Sequence, residues 1–121
     1  MKEQRYEAKK KYTLNISHLQ MNAIKISRSK RKGKKLVAEF SNGKTVHFGA
    51  AGYSDFTIHK DPERKKRYLD RHQHDPTSIT TAGGLSRDVL WSKPTLKEAV
   101  NFAEKKHGLR IHLDGNLLRR K

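Results

Sequence analysis

The sequence predicts an α+β protein, in which a small antiparallel β-meander is packed by two or three short helices, with extended basic termini. Three observations favour this fold class. Apolar residues alternate with polar ones around Ile24 and Ile26 and recur from Leu36 to Phe40, as in half-buried strands. Thr95 and Glu98 form a capping box before apolar residues at helical spacing. Basic residues also crowd both ends of the chain.

The length of 121 residues suits one ordinary domain. We divide the chain into a basic N-terminal arm over 1–20, a single α+β domain over 21–113 and a basic C-terminal tail over 114–121. Leu, Ile, Val and Phe supply 25 of the 121 residues. This is near the roughly one-fifth level below which highly charged chains tend to be disordered, so we expect a small core.

The charge balance is strongly basic, with 28 Lys and Arg against 12 Asp and Glu and a net charge of +16. Such a chain repels itself, so we expect an acidic partner. There are no cysteines, which excludes disulfides and thiolate metal sites and is compatible with a reducing cytoplasm. No apolar run approaches the roughly 18 residues of a membrane span, and the N-terminus lacks a signal-peptide hydrophobic region. We therefore predict neither membrane spanning nor secretion.

Residues 1–12 read as a basic arm, either solvated or engaging nucleic acid or neighbouring subunits, and Tyr12 to Leu19 as a strand or extended segment. The next two predicted strands are joined by a basic loop. From Lys25 to Lys35 there are seven basic residues and no acidic one. We interpret this tip as a site for phosphate or carboxylate, against the alternative of a solvated loop that protects a sheet edge.

Asn42-Gly43 lies between strand-like runs and predicts a two-residue type I′ hairpin, because both residues accept positive φ. The three strands from Ala23 to Phe48 would then form an antiparallel meander. This register predicts apolar residues on both faces of the hairpin, one face packing the core and the other meeting a partner. One face would carry Val37, Val46 and Phe48, and the other Leu36, Ala38 and Phe40.

Gly49 and Gly52 permit a sharp exit from the third strand. The apolar residues of the following loop, Tyr53, Phe56 and Ile58, are predicted to anchor it in the core, with stacking on nucleic-acid bases as the alternative. Asp61 before Pro62 predicts a helix N-terminus. Basic side chains cover this helix and leave a narrow packing stripe of Tyr68, Leu69 and His72, so we expect a presented surface.

The last third of the chain contains a helical turn, a helix and a strand. Leu85, Val89, Leu90 and Trp91 predict a turn near 85–91 that covers the sheet, with Trp91 buried where the meander meets the next helix. The Thr95 capping box predicts a helix over 96–107, ended by a left-handed Gly108. Leu109, Ile111 and Leu113 alternate as a final strand, and Leu117 and Leu118 suggest an apolar docking tail.

Signs of catalysis or cofactor binding are lacking. The seven histidines scatter without the spacing of a metal site. His59-Lys60-Asp61 reads as the polar lead-in to a helix, and Gly83-Gly84-Leu85-Ser86 has neither phosphate-loop nor nucleophile-elbow spacing. Scattered carboxylates lack the pairing of a magnesium nuclease site. We predict no enzymatic activity, metal, cofactor or small-molecule substrate.

Two blocks of the chain carry a family resemblance. The first contains Phe48-Gly49-Ala50-Ala51-Gly52-Tyr53-Ser54-Asp55-Phe56-Thr57, His59-Lys60-Asp61, Glu63-Arg64 and Arg67-Tyr68; the second contains Thr81-Ala82-Gly83, Leu85-Ser86-Arg87 and Leu90-Trp91-Ser92-Lys93-Pro94-Thr95-Leu96. Over about Leu36 to Val100, their order and spacing resemble a small, basic, largely uncharacterised and virion-associated family of giant (nucleocytoplasmic large) DNA viruses.

The resemblance implies a viral context, a place in the particle and synthesis in the host cytoplasm, and it implies no catalytic residues. In that family a large residue usually follows Thr-Ala-Gly, and another lies near the position of Asp88. Gly84 and Asp88 depart from this pattern, so we expect altered packing in the segment.

Two functions fit these observations. The first is a virion structural protein, a minor capsid (cement) protein that ties together acidic surfaces of capsid proteins. The second is a non-sequence-specific nucleic-acid-binding or genome-packaging protein. We rank the structural role first because the sequence contains no recognised nucleic-acid module. In both, the predicted contacts to the partner or to phosphate come from Arg28, Lys30, Arg31, Lys32, Lys34, Lys35, Arg64, Lys65, Lys66, Arg67 and Arg71.

Overall fold

The structure, a computed structural model, describes residues 23–119, with side chains to Leu117. The predicted N-terminal arm and the Tyr12-to-Leu19 segment lie outside this range. In chain order the elements are strands β1 (Ala23–Arg28), β2 (Lys34–Phe40) and β3 (Thr45–Ala50), helices α1 (Phe56–His59), α2 (Pro62–Arg71) and α3 (Ala82–Leu85), a π-helical turn (Ser86–Leu90), helix α4 (Leu96–His107), strand β4 (Arg110–Leu113) and a 3₁₀ helix (Gly115–Arg119). Within the described range, each helix is too short or too polar to cross a bilayer.

The four strands form one sheet in the order β3-β2-β1-β4. β1 to β3 pair antiparallel, which confirms the predicted meander. β4 is added beside β1 in parallel, with Ile24 opposite Ile111. The sheet is therefore mixed, and the predicted α+β class is confirmed.

The turn between β2 and β3 differs from the prediction. Phe40 pairs with Lys44 across a three-residue loop, since Phe40 N donates to Lys44 O at 2.8 Å and Gly43 N donates to Phe40 O at 2.9 Å. Gly43 alone in this loop has positive φ, at 96°. A type I′ turn needs positive φ at Asn42 as well, so that prediction is wrong, and the loop is of the three-residue kind with a left-handed glycine.

The extra loop residue shifts the register by one and changes which side chains share a face. Leu36 now lies opposite Phe48, and Ala38 opposite Val46, so the predicted division of these residues between two faces is wrong. One face carries the apolar residues that belong to the core or pack against it, which are Ile24, Ile26, Leu36, Ala38, Phe40, Val46, Phe48, Ile111 and Leu113. On the other face the buried Val37 lies opposite His47, so that face is not a second apolar surface.

The helices cover the apolar face. α4 begins as predicted, with Thr95 Oγ accepting from Glu98 N at 3.1 Å, and ends at Gly108 with φ of 66°. Its buried stripe is Ala99, Val100 and Ala103. α2 begins at Pro62 behind the Asp61 cap, as predicted, and none of its residues is buried. This confirms α2 as a presented surface.

Trp91 is buried, as predicted, and belongs to the same core cluster as the sheet and α4. The boundary at residue 113, however, is too early. Asp114 N donates to Ile26 O at 2.9 Å, which ties the chain to β1 beyond the last strand. Leu117 follows in the 3₁₀ helix with 2% exposure in the core. Leu117 is thus a core residue and not part of a docking tail.

Gly84 and Asp88, the two residues that depart from the pattern of the resembled family, are both buried. A Cβ on Gly84 would overlap the carbonyl group of Ser78, so the chain at that point leaves room for glycine alone. Asp88 is 1% exposed. It lies 3.1 Å from Lys106 Nζ and 2.6 Å from His107 Nε2, so the π-helical turn is tied to the end of α4 by a buried carboxylate.

Candidate functional site

The basic tip and the loop after β3 are neighbours. Lys34 lies opposite Ala50 in the sheet, and Ala51 N donates to Gly33 O at 3.0 Å. The chain bends here through Gly49, with φ of 81°, where a Cβ would lie 2.8 Å from Leu90 Cδ1. The positive φ favours glycine at this position, and a Cβ here would also displace the Leu90 side chain. The loop is therefore held against the tip that carries Arg28 to Lys34.

Lys35 has a structural role. Its Nζ lies 2.6 Å from Oδ2 of Asp55, and the two side chains are 12% and 1% exposed. Asp55 also caps α1 by accepting from the backbone N–H and the hydroxyl of Thr57. The Lys35 charge is thus used inside the fold, whereas the sequence predicted that it contacts a partner. Asp55 was missed because its partner lies 20 residues away.

Lys65 is also engaged within the molecule. Its Nζ donates to the carbonyl oxygen of Ser92 at 2.8 Å and lies 5.0 Å from the centre of the Phe56 ring. Burial, and secondly the neighbouring Lys93, lower the pKa of the Lys65 ammonium group. Lys65 therefore fixes α2 to the segment after Trp91, and it differs in this from the other predicted cations of the helix.

An aromatic stack also lies beneath α2. The Tyr68 and Trp91 rings are parallel, with centroids 4.0 Å apart, and His72 stacks on Tyr68 at 4.2 Å. Burial is the main cause of a raised pKa for the Tyr68 phenol, so the ring stays neutral. This stack explains how a helix without a buried residue is held in place.

His59 packs beside the same stack, 5.3 Å from Trp91 between ring centroids. Its Nδ1 accepts from the backbone N–H of Asp61 at 2.9 Å, so the neutral ring carries its proton on Nε2. That Nε2 is buried and has no hydrogen-bond partner among residues 23–119. Burial, and secondly Arg64, lower the pKa of His59, which favours the neutral ring.

Three arginines of α2 and the neighbouring loop line one cleft of about 830 Å³, which we call the arginine cleft. Arg64, Arg67 and Arg71 lie at spacings of three and four residues and so share one face of the helix. All three are exposed. The cleft also includes Lys34, Lys35, Tyr53, Asp55, Tyr68, His72, Asp75, Leu90 and Trp91.

The cleft is cationic in sum, because five Lys and Arg side chains face two carboxylates. Both carboxylates have partners of their own, since Asp55 pairs with Lys35 and Asp75 lies 2.7 Å from His72 Nδ1. Lys34 and the three arginines thus supply charge for an anion, and the aromatic rings supply flat apolar surface. The arrangement suits a ligand with phosphates and planar rings.

The other predicted cations lie outside this cleft. Lys66 pairs with Asp70 at 3.2 Å, with both side chains mostly exposed. Arg28, Lys30, Arg31 and Lys32 are exposed on the tip. Arg28 and Lys34 also line a second hollow of about 420 Å³ with Tyr53 and Ile58. The structure thus joins the two predicted basic segments through Lys34.

Two of the three predicted loop anchors are not core residues. Phe56 is buried, but Tyr53 is 70% exposed and Ile58 is 47% exposed. Of the three predicted anchors, Phe56 alone belongs to the core cluster. Within the described range, no group of three His, Asp or Glu side chains is arranged to hold a metal ion.

Residues 24–72 match a family model described as a family of unknown function, DUF5754. This segment spans β1 to α2 and includes both the basic tip and the arginines of the cleft. The description contains no function and no viral source, so the viral context stays a prediction. No curated protein and no solved structure matches the chain.

Proposed function

We propose that this protein binds nucleic acid through its phosphates, without sequence preference. The observation that carries the proposal is the meeting of the basic tip and the arginine face of α2 at the arginine cleft. Arg64, Arg67 and Arg71 have exposed guanidinium groups, which bind phosphate oxygens in a bidentate way. The net charge of +16 adds long-range attraction to any polyanion.

This proposal reverses the ranking drawn from sequence. The cement role depended partly on apolar anchoring by Leu117, and Leu117 lies in the core. The phosphate role depends on cations that remain available after the fold is made. Lys35 and Lys65 leave that set, while Lys34, Arg64, Arg67 and Arg71 remain in it and line the same cleft. Arg67 has a contact within α2, an exposed ion pair with Glu63 at 3.9 Å, and exposed pairs of this kind are weak.

The test is a comparison of two triple variants with the same loss of charge. The cleft variant replaces Arg64, Arg67 and Arg71 with glutamine. The control variant replaces Lys97, Lys105 and Arg110 with glutamine, and these three residues are exposed and do not line the cleft. Binding of a duplex is measured by fluorescence anisotropy as salt is varied around 0.15 M, where the screening length is about 8 Å. Under these conditions distant charges contribute little to local binding.

We expect the cleft variant to bind weakly and to show a log affinity against log salt slope that is less steep by about 2 to 3. The control variant should stay close to the wild-type slope, which we expect at about −5 to −7 for six to eight phosphate contacts. Equal weakening of both variants would mean that bulk charge, and not this surface, binds the nucleic acid.

A minor capsid role remains the second candidate. The observation in its favour is the exposed pair Tyr53 and Ile58 beside Arg28 and Lys34, which offers apolar and cationic contacts at one place. A protein with this role stays with shells emptied of genome, because some of its contacts resist salt. Loss from purified particles together with the DNA, at the same salt concentration, favours the nucleic-acid role.

A further inference from the structure

The arginine cleft is large enough to admit an unstacked base together with its flanking phosphates. Its volume of about 830 Å³ lies within the roughly 300–1,000 Å³ of small-molecule sites. The loop after β3 contributes Tyr53, whose side chain is 70% exposed although it is a large aromatic ring. Helix α2 contributes the three arginines, and Tyr68 and Trp91 contribute ring surface.

Tyr53 is placed for a ligand and does little for the fold. It lies outside the core cluster, and its neighbours Gly49 and Gly52 hold positive φ values of 81° and 88°, which set the path of the loop. Tyr53 and the three arginines line the same cleft, so the cleft offers a stacking surface together with charge-assisted hydrogen bonds. Stacking on aromatic rings is tolerant of base identity, because every base has a π face.

We infer that the arginine cleft selects single-stranded over duplex nucleic acid, with a base stacked on Tyr53 and the flanking phosphates held by Arg64, Arg67 and Arg71. This inference rests on the proposed function and adds that the preferred nucleic acid is single-stranded. A duplex can place its phosphates on the same arginines, but its bases are paired and stacked. Those bases reach Tyr53 only after unpairing, so a duplex gains the ionic contacts without the stack.

The experiment compares a labelled thymidine strand of about 12 nucleotides, within the usual site sizes for single-strand binders, with the duplex that it forms with its complement, both at about 0.15 M salt. Tyr53→Ala should weaken strand binding about tenfold and change duplex binding by less than about twofold, since it removes no charge. Ile58→Ala is the matched control, because Ile58 is exposed and does not line the cleft. It should change neither affinity.

Tryptophan fluorescence gives a second readout, because the chain contains one tryptophan and Trp91 lines the cleft. The strand should quench it more than the duplex does at equal occupancy. Loss of both affinities in Tyr53→Ala to the same extent, or of neither, overturns the inference while leaving the proposed function intact. Competition by thymidine monophosphate as effective as that by the strand also overturns it. Failure of the wild type to bind either nucleic acid at this salt overturns the proposed function itself.

Discussion

The Tyr68 ring lies parallel to the Trp91 indole, with centroids 4.0 Å apart and an interplanar angle of 3°. This contact joins α2, which has no buried residue, to the segment that follows the π-helical turn. Trp91 is therefore both a core side chain and the support of the helix that carries the cleft arginines. Its position connects stability to the proposed binding surface.

Trp91→Ala should destabilise the domain by about 3 to 5 kcal/mol, because truncation of a large buried aromatic leaves a cavity. This loss is a large part of the stability of a small domain, which is typically about 5 to 15 kcal/mol. The variant should therefore be largely unfolded near room temperature and show no cooperative melting transition. Tyr53→Ala is the control, since Tyr53 is 70% exposed, and it should melt like the wild type. A Trp91→Ala protein with an almost unchanged melting curve contradicts the assignment of Trp91 to the core.

Substitutions of the neighbouring residues Lys34 and Lys35 should have different effects, one on binding and the other on stability. Lys35→Met leaves the Asp55 carboxylate buried without its ion-pair partner and should cost about 3 kcal/mol. Lys34→Met should leave the unfolding transition in urea unchanged but weaken nucleic-acid binding, because Lys34 is exposed and lines the cleft. The reverse pattern would mean that the two side chains are assigned to the wrong roles.

The stability of the protein should fall in acid through His59. Burial, and secondly Arg64, lower the pKa of His59 in the fold, against the opposing effect of Asp61 and Asp55. Below the unfolded-state pKa of about 6.5, the unfolded chain therefore binds a proton that the folded chain resists. The free energy of unfolding should decrease as the pH falls through that value, and above it His59 should contribute no pH dependence.

The check is urea unfolding between about pH 7.5 and 5.5, across the pKa of free histidine, for the wild type and His59→Asn. Asparagine keeps an acceptor for the Asp61 N–H but does not titrate. The variant should be less stable overall, since it loses ring contacts with Phe56 and Trp91. Its stability should nevertheless fall less as the pH is lowered.

The His72–Asp75 and His107–Asp88 pairs are present in both proteins and cancel from the difference. Parallel pH profiles would rule out His59 as the source.

Gly84→Ala should be destabilising by about 1 to 3 kcal/mol or more, because the added methyl group meets backbone and not a flexible side chain. The control is Gly115→Ala, where a Cβ would have no neighbour within 4 Å and φ is not positive. Melting temperatures of the two variants give the comparison. Equal small changes in both would show that the Ser78 backbone moves easily away from residue 84.

Many of the local predictions for the described segment were confirmed, because they depend on residues close together in sequence. The Asp61 cap before Pro62 and the Thr95 cap with Glu98 each involve side-chain to backbone contacts within three residues. Gly108 ends α4 through its own backbone freedom. Alternation of apolar residues likewise identified strands around Ile24 and Ile111. Such signals need no knowledge of the rest of the chain.

The tertiary structure decided the features that depend on contacts between residues far apart in sequence, namely the strand register and the roles of individual cations. One loop residue at Gly43 set the register of β2 and β3, and so the face on which Leu36 lies, which no propensity specifies. The folded chain also distinguishes Lys34 from Lys35, which are chemically identical neighbours but differ in exposure. Lys35 pairs with buried Asp55, while Lys34 joins Arg64, Arg67 and Arg71 at the cleft.

The sequence by itself determined that the protein is basic and which segments carry the charge. Which of those charges remain for a partner was decided by packing between residues 20 to 40 positions apart, because only the folded chain brings a buried carboxylate to Lys35 and leaves Lys34 in solvent.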